Sequence, residues 1–273
     1  MNCKIFLLPG MSNLTKRIIA GVFGIPLIIG ACYSGGIYFL IFSMLVSSLA
    51  LKELFSMFEL KEIRVLKYTA IFISILILAL YYLNIDITLI FTLTFFLIFT
   101  SEIFRKEKNP LNPVLTVFGL LYITLPFVLL NIIIDENFPG IDLNIVIYLF
   151  ILIWVCDTSA YFGGRFFGKH KLSDISPKKT WEGSVSGLLM TMIVSVSIHF
   201  VFPEKLNLIN AAVIGIITGI FSQTGDLFES MLKRYCGVKD SSDLIPGHGG
   251  ILDRFDSLIF VAPVVFVYLN FCS

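Results

Sequence analysis

The sequence predicts an all-α, polytopic membrane protein, and three observations carry that expectation. Of 273 residues, 57% are apolar and 14% charged, with a mean hydropathy of +0.91, whereas soluble chains carry about 25% charged residues. The apolar residues come in continuous runs rather than the alternation of a membrane barrel, and in a water-free core a helix satisfies its own backbone hydrogen bonds. A crossing takes about 20 apolar residues, so the chain has room for about nine and little else.

Nine runs follow along the chain, near 18–33, 37–56, 68–84, 86–101, 114–134, 143–164, 183–202, 208–232 and 251–270. Gly21 and Gly24 in the first run, and Gly215 and Gly219 in the eighth, have the spacing of close helix contacts. The third and fourth runs are divided only by Asn84, Ile85 and Asp86, which suits either two short crossings or a re-entrant element. The first five runs carry few polar residues in their middles, so residues 1–142 read as a scaffold. From Trp154 onward charges, glycines and hydroxyls interrupt the apolar pattern, and residues 143–273 read as the catalytic region with two polar loops. No internal repeat or low-complexity segment appears.

Charge gives an independent check on the count. Lys and Arg concentrate in cytoplasmic loops, and nineteen of the 20 basic residues fall in alternate connections or at the N-terminus, leaving Lys205 alone on the other side. The N-terminus is therefore expected inside, the C-terminus outside, and the protein in the inner membrane. The net charge of +1 says little about partners, and no basic stripe suggests nucleic acid. The cysteines Cys3, Cys32, Cys156, Cys236 and Cys272 form no CxxC pair and read as small hydrophobes. Met1–Pro9 is too short for a cleavable signal peptide, Met11 offers an alternative start, and Cys3 lacks the apolar segment that precedes a lipidated cysteine.

Ionisable residues inside a crossing cost at least about 2.5–3.5 kcal/mol at its centre, which makes them functional candidates. Asp157 lies in the sixth run, Asp226 and Glu229 near the end of the eighth, and Asp253 and Asp256 at the start of the ninth. The predicted topology brings all of these to one face of the bilayer. Residues three apart share a helical face, so Asp226 with Glu229 and Asp253 with Asp256 form paired carboxylates, with Arg254 between the second pair. Hard oxygen donors suit Mg²⁺, which binds through one or two carboxylates plus substrate phosphates, and the candidate metal ligands are Asp226, Asp253 and Asp256. Glu229 also stands four residues before Lys233, so a structural ion pair is its alternative role. A lone His248 with no second His or clustered Cys gives no zinc site.

Two polar loops complete the pattern. Gly163 to Gly183 holds Arg165, Lys169, Lys171, Lys178 and Lys179 among glycines and hydroxyls, a cradle for a polyphosphate, although it is no Walker loop and an anionic-headgroup surface is its plainer reading. The second runs from Ser230 to Asp256, with Gly247, Gly249 and Gly250 around His248 just before the ninth run. A helix N-terminus there offers free N–H groups to an anion, and glycine permits close approach.

This second segment resembles the signature of the phosphatidate cytidylyltransferase (CDP-diacylglycerol synthase) family. Ser230, Lys233-Arg234, Lys239-Asp240, Pro246, His248-Gly249-Gly250, Asp253-Arg254 and Asp256 match at the family's spacing. Ser176 to Thr180 with Glu182-Gly183, and Asp157-Thr158 with Ala160-Tyr161, are similar to further family motifs. The resemblance implies transfer of CMP from CTP to phosphatidate with Mg²⁺, a second cation being possible, and it suggests a homodimer. It assigns catalysis to Asp226, Lys233, Arg234, His248, Asp253, Arg254 and Asp256, and CTP binding to Arg165, Ser176, Lys178, Lys179, Thr180 and Lys239, with Asp157, Glu182 and Glu229 as additional candidates. Arg254 or Lys233 would meet the lipid phosphate. Two alternatives stay open: a CTP-dependent transferase or kinase acting on a polyprenyl or other lipid, and a cation-coupled transporter using the intramembrane acids.

Overall fold

Every apolar run becomes helical. The computed structural model describes residues 13–245, 247 and 249–271. Met1, Cys3, Met11, Pro246, His248 and Cys272 lie outside the described residues, as do the side chains of Lys16 and Arg17. The order is α1 (Asn13–Ser34), α2 (Gly36–Glu59), α3 (Lys67–Tyr82), α4 (Ile87–Ile103), α5 (Leu111–Gly119), a π-helical turn (Leu120–Thr124), α6 (Leu125–Asp135), α7 (Ile145–Phe167), α8 (Trp181–Val201), α9 (Leu208–Cys236) and α10 (Leu252–Phe271). Among the described residues there are no extended strands, only isolated bridges.

Among the described residues, five helices are long and apolar enough to cross a membrane: α2, the continuous Leu111–Asp135 unit, α7, α8 and α9. The fifth run is thus a single helix, but the π-helical turn shifts its register midway, which a hydropathy window cannot register. The Asn84–Asp86 break separates two helices. Asn84 takes a positive φ of 59°, and Asp86 caps α4 by accepting from the N–H groups of Thr88 (2.6 Å) and Leu89 (3.3 Å). The hydrogen bonds from Thr88 and Leu89 hold the exposed Asp86 carboxyl below its ordinary range.

Contacts between loops sort them into two ends. At one end Arg64 pairs with Glu107, the Lys61 ammonium lies over the Tyr235 ring, and Glu53 of α2 reaches the α9–α10 loop. At the other, Tyr81 donates to Asp135, Asn144 to the Cys32 carbonyl and Asn210 to the Pro139 carbonyl. Alternate connections therefore share an end, as the distribution of basic residues requires.

Small residues let the last four helices approach closely. A Cβ on Gly183 would stand 2.7 Å from the Ala160 carbonyl, one on Gly187 3.1 Å from that of Cys156, and one on Gly219 2.6 Å from Leu188. Gly215 likewise packs on Ser195, but Gly21 and Gly24 meet no described atom within 4 Å, so the expected helix contact does not form within the chain there. The first-half core is aromatic and aliphatic, with Phe39, Leu51, Leu54, Phe55, Phe58 and Phe127 fully buried. Cys32, Cys156 and Cys236 are buried and free, consistent with packing roles.

Candidate active site

The α7–α8 loop is folded back on itself. Leu172 N–H donates to the Lys179 carbonyl (2.9 Å), Trp181 N–H to that of His170 (3.0 Å), and Lys179 N–H to that of Ser176 (3.0 Å). Glu182, in the first turn of α8, accepts from the N–H groups of Lys169 and His170 and pairs with His170 Nδ1 at 2.6 Å. Thr180 caps α8 by accepting from the Gly183 N–H at 3.1 Å. Glu182, Ser176 and Thr180 thus shape the loop, and its closure lays Lys179 Nζ 2.6 Å from Asp226 Oδ2 on α9. Lys178 and Arg165 stay exposed, the latter with one guanidinium nitrogen 3.5 Å from the Tyr161 hydroxyl.

The acids divide into two groups. Asp157 on α7, Asp226 on α9 and Asp256 on α10 lie within electrostatic reach of one another, and the charges of Lys179 and Arg254 reach Asp157 as well. Gly225 makes this convergence possible, since its missing side chain lets α9 lie against the Asp256 backbone. Asp253 does not join them. Its Oδ1 accepts from Lys233 Nζ at 2.5 Å, and its Oδ2 from the N–H groups of Ser241 and Gly250 and from Ser241 Oγ. Lys233 donates as well to Glu229 at 2.5 Å, with Glu229 fully buried and Lys233 only 8% exposed. One ammonium therefore neutralises two buried carboxylates, and Arg254, which is exposed, stands outside that network. Arg234 donates to the Val238 carbonyl at 2.9 Å and closes the end of α9, while Lys239 is exposed on the following loop.

Two residues from the first half of the chain reach this region without having been singled out in the sequence. Glu53, 5% exposed, accepts from Ser242 Oγ (2.6 Å) and Ile251 N–H (3.0 Å) through Oε1, and from Ser241 Oγ (2.9 Å) and Leu252 N–H (2.8 Å) through Oε2. The N–H groups that open α10 are therefore occupied by Glu53 and Asp253, which corrects the expectation of a free helix terminus waiting for phosphate. Tyr122, in the π-helical turn, is buried with its ring packed on Phe118, Phe228 and Phe260. π-Bulges recur at functional sites, and the π-helical turn that carries Tyr122 leaves no mark in hydropathy.

A divalent metal fits this donor chemistry. Asp226 on α9 and Asp256 on α10, with Asp157 of α7 within electrostatic reach, offer hard carboxylate oxygens from three helices. Among the described residues no three His, Cys, Asp or Glu side chains close into a ready-made cage. Mg²⁺ keeps waters and takes only one or two protein carboxylates when phosphates supply the rest.

Comparison with known proteins adds a further finding. The chain matches the cytidylyltransferase family over residues 15–272. It is 33% identical over 259 residues to a phosphatidate cytidylyltransferase of Staphylococcus haemolyticus, covering 93% of this chain and 98% of that protein. It is 36% identical over 282 residues to one of Synechocystis sp., with 93% and 96% covered, and 31% identical over 258 residues to one of Staphylococcus aureus, with 92% and 96% covered.

Proposed function

The chain belongs to the cytidylyltransferase family, and from that premise we propose that this multi-pass membrane nucleotidyltransferase moves CMP from CTP to phosphatidate, releasing pyrophosphate and CDP-diacylglycerol. The observation that carries the reading is the close approach of α9 to α10 at Gly225 and Asp256, with Lys179 of the α7–α8 loop laid 2.6 Å from Asp226 beside it.

A phosphate oxygen of the lipid attacks the α-phosphorus of CTP, the bond to the β-phosphate oxygen breaks in line, and pyrophosphate leaves. Phosphoryl transfer of this kind asks for alignment and charge stabilisation rather than a covalent intermediate. Lys179 leaves Asp226 to grip the triphosphate, with Lys178 beside it, and Arg165 and Lys239 form an outer ring of charge that draws in nucleotide. Ser176, Thr180 and Glu182 hold the loop that carries Lys178 and Lys179. Arg254 holds the lipid phosphate opposite the leaving group. Asp226 and Asp256, with Asp157 beside them, would hold the Mg²⁺, which when bound neutralises charge on the nucleotide phosphates. Glu229, Lys233 and Asp253 brace α9 against α10, and Arg234 closes the end of α9.

The basic end of the molecule faces the cytoplasm in this reading, the membrane is the inner one, and phosphatidate arrives from the inner leaflet. A homodimer belongs to the same reading, and light scattering in detergent tests it. The chemical test uses purified protein in detergent with Mg²⁺, CTP labelled on the α-phosphate, and either phosphatidate or a polyprenol. Label is expected in lipid only with phosphatidate, with one pyrophosphate released per label, in the absence of any ion gradient. Label passing to polyprenol, or pyrophosphate release indifferent to lipid, overturns the assignment.

A further inference from the structure

The Glu53 carboxylate sits where α10 would otherwise receive an external anion. Both of its oxygens are filled twice over, by the hydroxyls of Ser241 and Ser242 and by the N–H groups of Ile251 and Leu252, all between 2.6 and 3.0 Å. No Lys or Arg pairs with it through an ion contact among the described residues. The positive end of a helix and four convergent donors are what an ionised carboxylate needs in place of water. Ser241 Oγ touches both Glu53 and Asp253, at 2.9 Å each, and Asp253 holds Lys233, which holds Glu229. One hydrogen-bonded chain therefore runs from α2 through the α9–α10 loop into α9. Asp256 lies one helical turn beyond Leu252, the residue whose N–H Glu53 fixes.

We propose that Glu53 is a positioning residue for the transferase reaction: it clamps the 241–252 loop and the first turn of α10, and so sets where Asp256 stands relative to Asp226. Gly250 shows how tight the clamp is. A Cβ there would run into Ser241 Oγ and the Glu53 carboxylate, so any side chain at this position would have to displace the two groups from their hydrogen bonds. Glu53 itself touches neither nucleotide nor lipid. The inference rests on the reading of Asp226 and Asp256 as the pair that binds nucleotide-borne Mg²⁺.

Glu53→Gln tests it, because the amide matches the carboxylate in size but turns an NH₂ toward donors that have nothing to give it. Two measurements on the purified full-length protein are needed. Hydrogen exchange of the peptide spanning Ile251 and Leu252 is expected to quicken at least tenfold, which reports the clamp without any turnover. The Mg²⁺ concentration for half-maximal activity is expected to rise at least fivefold. A variant that merely folded less well would lose amplitude and keep the same half-saturation. Should Glu53→Gln fail to accumulate, Ser242→Ala removes one of the four donors and is expected to shift both readings in the same direction by about twofold. Unchanged half-saturation with faster exchange, or unchanged exchange, overturns the proposal. If instead Asp226→Asn also leaves half-saturation unchanged, it is the metal reading beneath it that has failed.

Discussion

Lys179→Ala separates two roles that one side chain plays. Lys179 lies 2.6 Å from Asp226, with the two side chains 27% and 36% exposed; a partly exposed pair of this kind contributes up to about 1 kcal/mol. On a triphosphate the same ammonium makes a charge-assisted hydrogen bond of about 1.5–3 kcal/mol. Setting the full ~1 kcal/mol of the first against the second leaves a net of about 0.5–2 kcal/mol, which at about 1.4 kcal/mol per decade is roughly a 2- to 30-fold rise in the KM for CTP. Asp226 loses its internal cation in the variant, so the Mg²⁺ requirement measured at saturating CTP is expected to fall. Steady-state rates in phosphatidate–detergent micelles, varied over CTP and Mg²⁺ separately, read both effects. An unchanged KM for CTP refutes the cradle, and parallel rises in both requirements refute the exchange of partners at Lys179.

Further expectations concern the framework around the carboxylates. Lys233→Met leaves Glu229 and Asp253 buried without their shared cation, at a cost of about 3–5 kcal/mol; thermal unfolding in detergent is expected to shift sharply downward, with Lys233→Arg retaining part of the stability, and a wild-type transition for Lys233→Met would contradict the bridging role. Gly225→Ala places a methyl group 2.5 Å from the Asp256 carbonyl oxygen, which must push α9 and α10 apart where their acids meet. Activity is expected to drop at least tenfold, whereas Gly237→Ala, at a positive φ of 77° with open space around it, costs only about 1–2 kcal/mol of local strain and leaves turnover near normal. Equal activity in the two variants would remove the geometric argument for Gly225.

The sequence disclosed what depends on local composition. The nine apolar runs become helices because a continuous apolar segment satisfies its own backbone hydrogen bonds that way, and Asp157, Asp226 and Asp256 stood out because charge inside an apolar run is expensive. Glu53 escaped notice for the opposite reason: beside Lys52 near the end of an apolar run it looks like an ordinary interfacial residue, and its four donors lie 188 to 199 residues further along the chain. Tyr122 was invisible because the π-helical turn that carries it leaves no mark in hydropathy. Asp253 illustrates a third case. Its spacing from Asp256 puts both on one face of α10, but the donors of Ser241, Gly250 and Lys233 capture its carboxylate, and only tertiary structure reveals which of two neighbouring acids remains available.

Manganese binding, followed by electron paramagnetic resonance in detergent with and without CTP, tests the central claim most directly. Wild-type protein is expected to take up Mn²⁺ in a CTP-dependent manner, and Asp226→Asn and Asp256→Asn, each folded as judged by thermal unfolding, are expected to weaken that binding at least tenfold. CTP-dependent binding of wild-type strength in both variants would contradict the assignment of these carboxylates to the nucleotide-bound metal.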